Sequence, residues 1–334
     1  MNNNCLIIAE AGVNHNGDVN LALKLCDAAK AAGADVVKFQ TWKTENIITR
    51  NVEQAEYQKV NTGKSESQFD MLKKLELSYD EFQSVKEYCD KIGIVFASTA
   101  DEPESLDFLV SIGIPFIKVG SGEIGNISFL RYIGSKHLPV ILSTGMSSLA
   151  DIDISLQALR EGGASDIVVL HCTTSYPCSF ENVNLNAMNT LRDAFKLPVG
   201  YSDHTLGSTV AVAAVAMGAS VVEKHFTLDK NMDGPDHRAS STPEEFAEYV
   251  RAIRNIEVAM GDGRKQVTSV EKEISKVVFK RLVAKRPISK GHIINADDIC
   301  VKRNDEGLMA NKWDIVIGTR ATRDYRIDEG ILLK

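Results

Sequence analysis

The sequence predicts a (β/α)8 TIM barrel followed by a small β-rich domain, and three observations carry that reading. Eight short apolar runs recur, bounded by Gly, Pro or polar residues, as in strands buried on both faces of a parallel sheet. An amphipathic helix pattern follows nearly every run, and eight such alternations in about 250 residues is barrel length. Beyond Gly261-Asp-Gly263 the helical periodicity gives way to short β-type runs and Gly turns. An open doubly wound sheet is the alternative, but no Gly-rich dinucleotide fingerprint follows the first run.

In order, the runs fall at 5–10, 35–40, 94–98, 115–119, 140–143, 167–171, 199–201 and 221–224. After the first, Leu21, Leu25, Ala28, Ala29 and Ala32 share a helical face and Gly33 supplies the stop. Residues 41–79 interrupt the alternation. This polar stretch, with Tyr57, Asn61, Thr62 and Gly63, is too long for a routine connection and reads as a substrate-binding loop. At its end Ser78-Tyr-Asp-Glu81 has capping-box spacing and opens a helix through Phe82, Val85 and Cys89. Between the last two runs, 208–217 is a helix of small apolar residues closed by Gly218. The final barrel helix takes Thr242 as cap, Pro243 in its first turn and Glu245 three residues on, with Phe246, Tyr249, Val250, Ile253 and Ile256 inward. The division that follows is a barrel at 1–263, a charged linker at 264–281 and a β-rich module at 282–334. That module's runs include Leu282-Val-Ala, Ile315-Val-Ile-Gly-Thr and Ile327-Asp-Glu-Gly-Ile-Leu. At about fifty residues it is marginal alone and is expected to pack on a barrel, its own or a neighbour's.

Hydrophobic content of 44% and charged content of 25% are those of a soluble globular protein. No apolar run approaches the ~20 residues of a membrane span, and the start lacks a basic, apolar leader. Cys5, Cys26, Cys89, Cys172, Cys178 and Cys300 lack paired spacing, which suits free thiols in a reducing cytoplasm. The net charge of −7 is uneven: residues 264–334 carry +6 and the remainder −13. A basic tail reads either as a nucleic-acid surface or, more blandly, as a face that docks on acidic protein or covers an anionic ligand.

The chemistry gathers where the runs end. The carboxyl ends of barrel strands form the active face, and here they offer Glu10, Lys38, Gln40, Thr99, Lys118, Ser121, Glu123, Ser143, His171, Asp203, His204, Glu223, Lys224 and His225. Unpaired buried charge is expensive, so this many polar ends converging on one mouth read as a site. His204 and His225 follow adjacent strands and suit a divalent ion, the alternative being two satisfied core histidines. Lys38 and Lys118 with Thr99, Ser121 and Ser143 make a cationic, hydroxyl-lined wall for phosphate or carboxylate, or else structural ion pairs to Glu10 and Glu123. Glu10 and Glu123 are candidates for general acid and base. Asn14-His-Asn-Gly17 is a turn whose His15 either packs or touches substrate, and Gly234-Pro-Asp236-His237 is a tight turn or an acceptor loop. Cys172 reads as a strand-end packing thiol.

In this order the motifs resemble the sialic acid synthase family, enzymes that make nine-carbon nonulosonic acids. The likeness runs through Ile8-Ala-Glu-Ala-Gly-Val-Asn-His-Asn-Gly17, Val37-Lys-Phe-Gln40, Lys118-Val-Gly-Ser-Gly-Glu123, Leu142-Ser-Thr-Gly-Met146, His171-Cys-Thr-Thr-Ser-Tyr-Pro177, Tyr201-Ser-Asp-His204, Glu223-Lys-His-Phe226 and Gly234-Pro-Asp236. The tail resembles the family's antifreeze-like (SAF, β-clip) domain through Val283-Ala-Lys, Ile288-Ser-Lys-Gly291 and Val301-Lys-Arg303. The resemblance implies a cytoplasmic, domain-swapped homodimer that condenses phosphoenolpyruvate with an acetylated mannosamine-type hexosamine. It implies a divalent metal on His204 and His225, Mn2+ or else Mg2+ or Co2+. It places Lys38, Thr99, Lys118, Ser121 and Ser143 on phosphoenolpyruvate. Glu10, Gln40, Asn61, Tyr176 and Asp236 fall on the acceptor, with Arg303 reaching from the partner and Glu123 assisting proton transfer. The chain departs from the family after Arg303, where Asn-Asp-Glu-Gly307 replaces the usual Pro-Gly-Asn-Gly. The opening motif and the Thr-Thr-Ser-Tyr-Pro run look closest to the legionaminic acid branch. A class II-type metal aldolase and a non-enzymatic sugar-binding protein are the competing classes.

Overall fold

The computed structural model describes residues 4–53 and 67–333, which divide into two units, Met1–Gly261 and Asp262–Lys334. In the first unit, eight parallel strands close into a barrel in chain order. They are β1 (Leu6–Gly12), β2 (Val36–Thr41), β3 (Val95–Ala100), β4 (Ile117–Val119), β5 (Val140–Ser143), β6 (Ile167–Cys172), β7 (Val199–Asp203) and β8 (Val221–His225). All eight apolar runs are strands. Several continue one or two residues past the run, because the ladder keeps pairing through polar positions. Asp203 pairs with Lys224, and Glu10 with His225, which closes the barrel.

Strand alternation sorts the barrel interior into layers. Ile8, Val36, Ala97, Phe116, Ile141, Leu170 and Val221 meet as an apolar floor. Two residues further along each strand, the same inward register carries Glu10, Lys38, Thr99, Lys118, Ser143, Cys172 and Glu223. β7 contributes Gly200 near the floor, where a Cβ would lie 2.5 Å from Leu170 Cδ2 and 2.4 Å from the Val221 carbonyl. Outward-facing residues such as Ile7, Val37, Phe39, Leu142 and Val222 join the helices in the main core.

The helices obey their sequence signals. Val19–Ala31 buries Ala22, Leu25, Cys26 and Ala29, and Gly33 follows at φ 86°. Tyr79–Ile92 and Pro243–Met260 both open on the expected capping boxes, at Ser78/Glu81 and Thr242/Glu245. The insertion after β2 contains helix Gln68–Leu75, capped by Ser67; its residues Tyr57, Asn61, Thr62 and Gly63 lie outside the described residues.

The second unit begins with a helix, Ser269–Val278, inside the stretch read as a linker, opened by a Thr268/Glu271 capping box. Antiparallel strands β9 (Lys280–Ala284) and β10 (Ile299–Arg303) follow, and Leu282, Ala284, Ile288, Ile294, Ile299, Val316, Tyr325 and Ile331 form its core. The run Ile315-Val-Ile is a correction to the β-type reading: Trp313–Val316 is a helical turn, and Val316 is the residue it buries. Three apolar residues in a row serve a short helix as well as a strand when one of them reaches the core.

Candidate active site

Above the apolar floor lies a cavity of about 290 Å³ at the carboxyl ends of the strands. Its deepest layer is a chain of alternating charge. Lys38 Nζ contacts Glu10 Oε2, lies 3.0 Å from Thr99 Oγ1 and 3.9 Å from Glu223 Oε1. Lys118 Nζ donates to Ser143 Oγ at 2.8 Å and stands 3.6 Å from the same Glu223 oxygen. Gln40 Nε2 donates to Glu10 Oε1 at 2.7 Å. All four charged side chains are buried, and Glu223 Oε2 has no hydrogen-bond partner among the described residues. Ion pairing is therefore realised for Lys38 with Glu10, whereas the carboxylate beside Lys118 is Glu223 and not Glu123.

Burial and neighbours push these groups in different directions. Burial raises Glu10 to about 7, against the pull of Lys38. Burial would raise Glu223 also, but Lys118 and Lys38 together hold it below the usual carboxylate range. Burial lowers Lys118, while the Glu10 and Glu223 carboxylates outweigh burial at Lys38 and raise it.

His204 and His225 stand across this layer with ring centroids 5.6 Å apart and planes at 53°. His204 Nδ1 is 2.7 Å from the Thr173 carbonyl, which can only accept, so Nδ1 carries the proton and Nε2 keeps a lone pair. His225 Nδ1 lies 3.9 Å from Asp236 Oδ2. Burial holds both imidazoles in the neutral form that binds metal ions, His225 well below its ordinary value. Among the described residues no three His, Cys, Asp or Glu gather as a closed metal cage. The pair would instead leave most positions on an ion to water and ligand oxygens. Tyr176 closes the outer side, its ring 4.3 Å from His204 and 5.5 Å from His225.

The cavity thus brings together Glu10, Lys38, Gln40, Thr99, Lys118, Ser121, Ser143, Tyr176, His204, His225 and Asp236. Glu123 is not in its wall. It is half-buried next to Ser121 and Gly122, raised by burial, and accepts from Asn126 Nδ2 at 2.7 Å. Asn61 lies outside the described residues, and Arg303 ends β10 in the second unit, exposed. Two residues read as possible site groups, Lys224 and His15, leave the mouth. Lys224 points outward to Asp203 Oδ2 at 3.1 Å and to the Thr205 carbonyl, as period two demands when Glu223 and His225 face in. His15 is fully buried against Phe39 and Phe82 rather than at substrate. Cys172 is a packing thiol near Ser121, pushed up by burial.

Sequence reasoning missed Asp101, which lines the cavity and is raised to about 7 by burial and then by Glu123. The signal was available: Asp101 is two residues past Thr99, in the same inward register. It also missed the apolar wall of Met71, Leu72 and Leu75 from helix Gln68–Leu75.

A model of the NeuB family matches residues 25–265. The chain belongs to the NeuB family. A SAF domain matches residues 281–334. Among similar NeuB-family proteins, the N,N'-diacetyllegionaminic acid synthase of Campylobacter jejuni is 47% identical over 326 residues, covering 97% of this chain and 98% of that one. The synthase of the same name from Legionella pneumophila is 46% identical over 320 residues, covering 95% and 90%. A crystal structure of N-acetylneuraminic acid (sialic acid) synthetase from Leptospira borgpetersenii, in complex with citrate, superimposes with a TM-score of 0.71 at 34% identity, covering 82% of this chain and 90% of that one. This NeuB-family chain is accordingly an enzyme of the sialic and legionaminic acid synthase type. No helix among the described residues is long and apolar enough to cross a membrane.

Proposed function

We propose that the chain condenses phosphoenolpyruvate with an N-acetylated mannosamine-type aldose, releasing phosphate by C–O cleavage. The observation that carries this is the two-sided cavity: two buried lysines with hydroxyls on one wall, two neutral imidazoles on the other. The high identity to two diacetyllegionaminic acid synthases favours a diacetamido-trideoxymannose as acceptor, giving N,N'-diacetyllegionaminate, over N-acetylmannosamine giving N-acetylneuraminate.

Lys38 and Lys118, with Thr99, Ser121 and Ser143, bind the phosphate and carboxylate of phosphoenolpyruvate as point charges supported by donors. Both lysines are balanced by Glu10 and Glu223, so a dianion bound there favours a proton on Glu10. With its value near 7, Glu10 can both give and take a proton at the acceptor carbonyl, and Gln40 holds its other oxygen. Glu123, just outside the wall, is the second proton-transfer candidate. Gln40, Tyr176 and Asp236 line the acceptor side, with Asn61 and the partner-borne Arg303 completing it in a domain-swapped homodimer. The alkene carbon of phosphoenolpyruvate forms the new bond to the aldehyde carbon, water adds at the cationic centre left behind, and phosphate departs.

His204 and His225 would hold a divalent ion, Mn2+ or else Mg2+ or Co2+, whose chemistry when bound is Lewis-acid polarisation of a carbonyl. The lone pair on His204 Nε2, which faces the cavity with Ser202 Oγ at 3.5 Å and is fixed by the Thr173 carbonyl on the other ring nitrogen, is the second-sphere arrangement metal-binding imidazoles take.

The deciding experiment is phosphate release from phosphoenolpyruvate against a panel of acetylated mannosamine and dideoxymannose acceptors, with and without chelator. Release that depends on one acceptor supports the synthase. Turnover of an aldol substrate without phosphoenolpyruvate points to a class II-type aldolase instead. Sugar binding retained by the isolated tail, and unaffected by Lys118→Met in the full-length chain, marks a binding protein.

A further inference from the structure

The loop after β8, residues 227–241, is tied to the turn after β1 by polar contacts that the proposed chemistry does not use. At its base Ser241 N donates to the His225 carbonyl at 2.8 Å and Thr227 N to the Ser241 carbonyl at 2.9 Å. At its far side Asn16 Nδ2 donates to the Asp233 carbonyl at 2.8 Å, and Asn16 Oδ1 lies 3.2 Å from His237 Nε2. His237 is fully buried, with Nδ1 2.6 Å from Thr227 Oγ1. Since Asn16 Oδ1 only accepts, the neutral His237 carries its proton on Nε2 and receives the Thr227 hydroxyl at Nδ1. Asn14 adds a further link: Nδ2 donates to the Phe226 carbonyl and to Ser240 Oγ, each at 2.9 Å. Ser240 Oγ donates in turn to the Asp236 carbonyl at 2.7 Å.

Asp236 sits between these ties, its carboxylate lining the cavity 3.9 Å from His225 Nδ1. The clasp has little slack. Gly234 takes φ 154°, and a Cβ there would lie 2.6 Å from His237 Cδ2 and 2.8 Å from Asn16 Oδ1. Asn16 itself takes φ 54°, a left-handed conformation that Asn tolerates better than most residues. A surface loop ordinarily satisfies its backbone with water and stays mobile. This one has a carbonyl and a buried ring satisfied by a different strand's turn, which removes that freedom at the point where a site carboxylate is displayed.

We propose that Asn16 and His237 are positioning residues whose mutual contact fixes the loop bearing Asp236 and so sets the aim of its carboxylate at the acceptor sugar. The inference rests on the synthase reading of the site.

The test is steady-state phosphate release by the full-length chain, with phosphoenolpyruvate and diacetamido-trideoxymannose varied separately. Asn16→Gly keeps the left-handed backbone while deleting the amide. It is expected to raise the acceptor KM about tenfold while the KM for phosphoenolpyruvate moves less than about twofold. His237→Leu acts in the same direction, and His237→Gln, which restores an N–H toward Asn16, recovers most of the loss. In an Asp236→Ala background Asn16→Gly adds less than about twofold, because the carboxylate it aims is gone. Both KM values rising together, or Asn16 and Asp236 effects that multiply in full, overturn the proposal. If His237→Leu does not fold, the Asn16→Gly cycle decides alone. A wild-type chain that releases no phosphate with any acceptor sinks the synthase reading and this inference with it. Normal wild-type turnover with an unmoved acceptor KM in Asn16→Gly sinks the inference only.

Discussion

Glu10 and Lys38 form a fully buried ion pair on the wall of a polar cavity, and such a pair is rarely there for stability. Replacing a buried pair by apolar groups is often neutral or stabilising, whereas removing one partner costs about 3–5 kcal/mol. Lys38→Met is therefore expected to destabilise the barrel by about that amount, measured by urea unfolding, since it leaves Glu10 buried beside Glu223. The double variant Lys38→Met/Glu10→Leu should regain stability and yet release no phosphate. A stable and active double variant would mark the pair as scaffold. Likewise His204→Ala or His225→Ala should abolish chelator-sensitive turnover while leaving the circular dichroism spectrum intact; turnover that a chelator does not touch in the wild type would remove the metal from the scheme.

At the scale of the element, most of what positions the site was legible because period two is unforgiving. Once 221–224 is a strand with Glu223 inward, His225 must face in and Lys224 out; grouping all three at the mouth ignored that rule, and Asp203 is where Lys224 finds its partner. Several runs stop one or two residues short of their strands, because the ladder needs only backbone groups and goes on pairing through Asp203 and His225. The wall from helix Gln68–Leu75 stayed hidden because an amphipathic helix in a long insertion says nothing of which neighbour its apolar face meets. The role of Gly200 was invisible for a similar reason. Gly200 matters only because Leu170 and Val221 fill its place from adjacent strands. Gly200→Ala, a single methyl, should therefore cost about 1–3 kcal/mol as an overpacked core, read by thermal or urea unfolding.

For the whole molecule, acid acts on the two units in different pH windows. Burial lowers His15 and His237 in the barrel to about 4. The unfolded chain takes up those protons near 6.5 and the folded barrel does not, so these two histidines withdraw stability as pH drops from about 6.5 toward 4, while Glu10 and Asp101, raised to about 7, add it over the same range. In the second unit burial would raise Asp298, but the Asn295 amide, His292 and Arg286 hold its carboxyl at about 2. Its contribution persists down through pH 4 and is lost only as pH approaches 2. In urea unfolding His237→Gln should lose less stability than the wild type between about pH 6.5 and 4, and an equal loss would contradict this. The basic second unit is also where the proposed swap is testable. Arg303→Ala mixed with His204→Ala should recover part of the activity through mixed dimers, and no recovery after verified subunit exchange would argue against a shared site.

The hydrocarbon plug of Ile8, Val36, Ala97, Ile141, Leu170 and Val221 makes the barrel a blind well. Lys38 and Lys118 are buried just above that floor, while Gln40, Tyr176 and Asp236 are part-exposed and stand nearer the rim. On the proposed chemistry a sugar already lodged at the rim would bar the way down, and phosphoenolpyruvate is expected to load first. Inhibition by a non-reacting sugar analogue should then be uncompetitive toward phosphoenolpyruvate, and a competitive pattern would mean that the sugar seats first in the empty well.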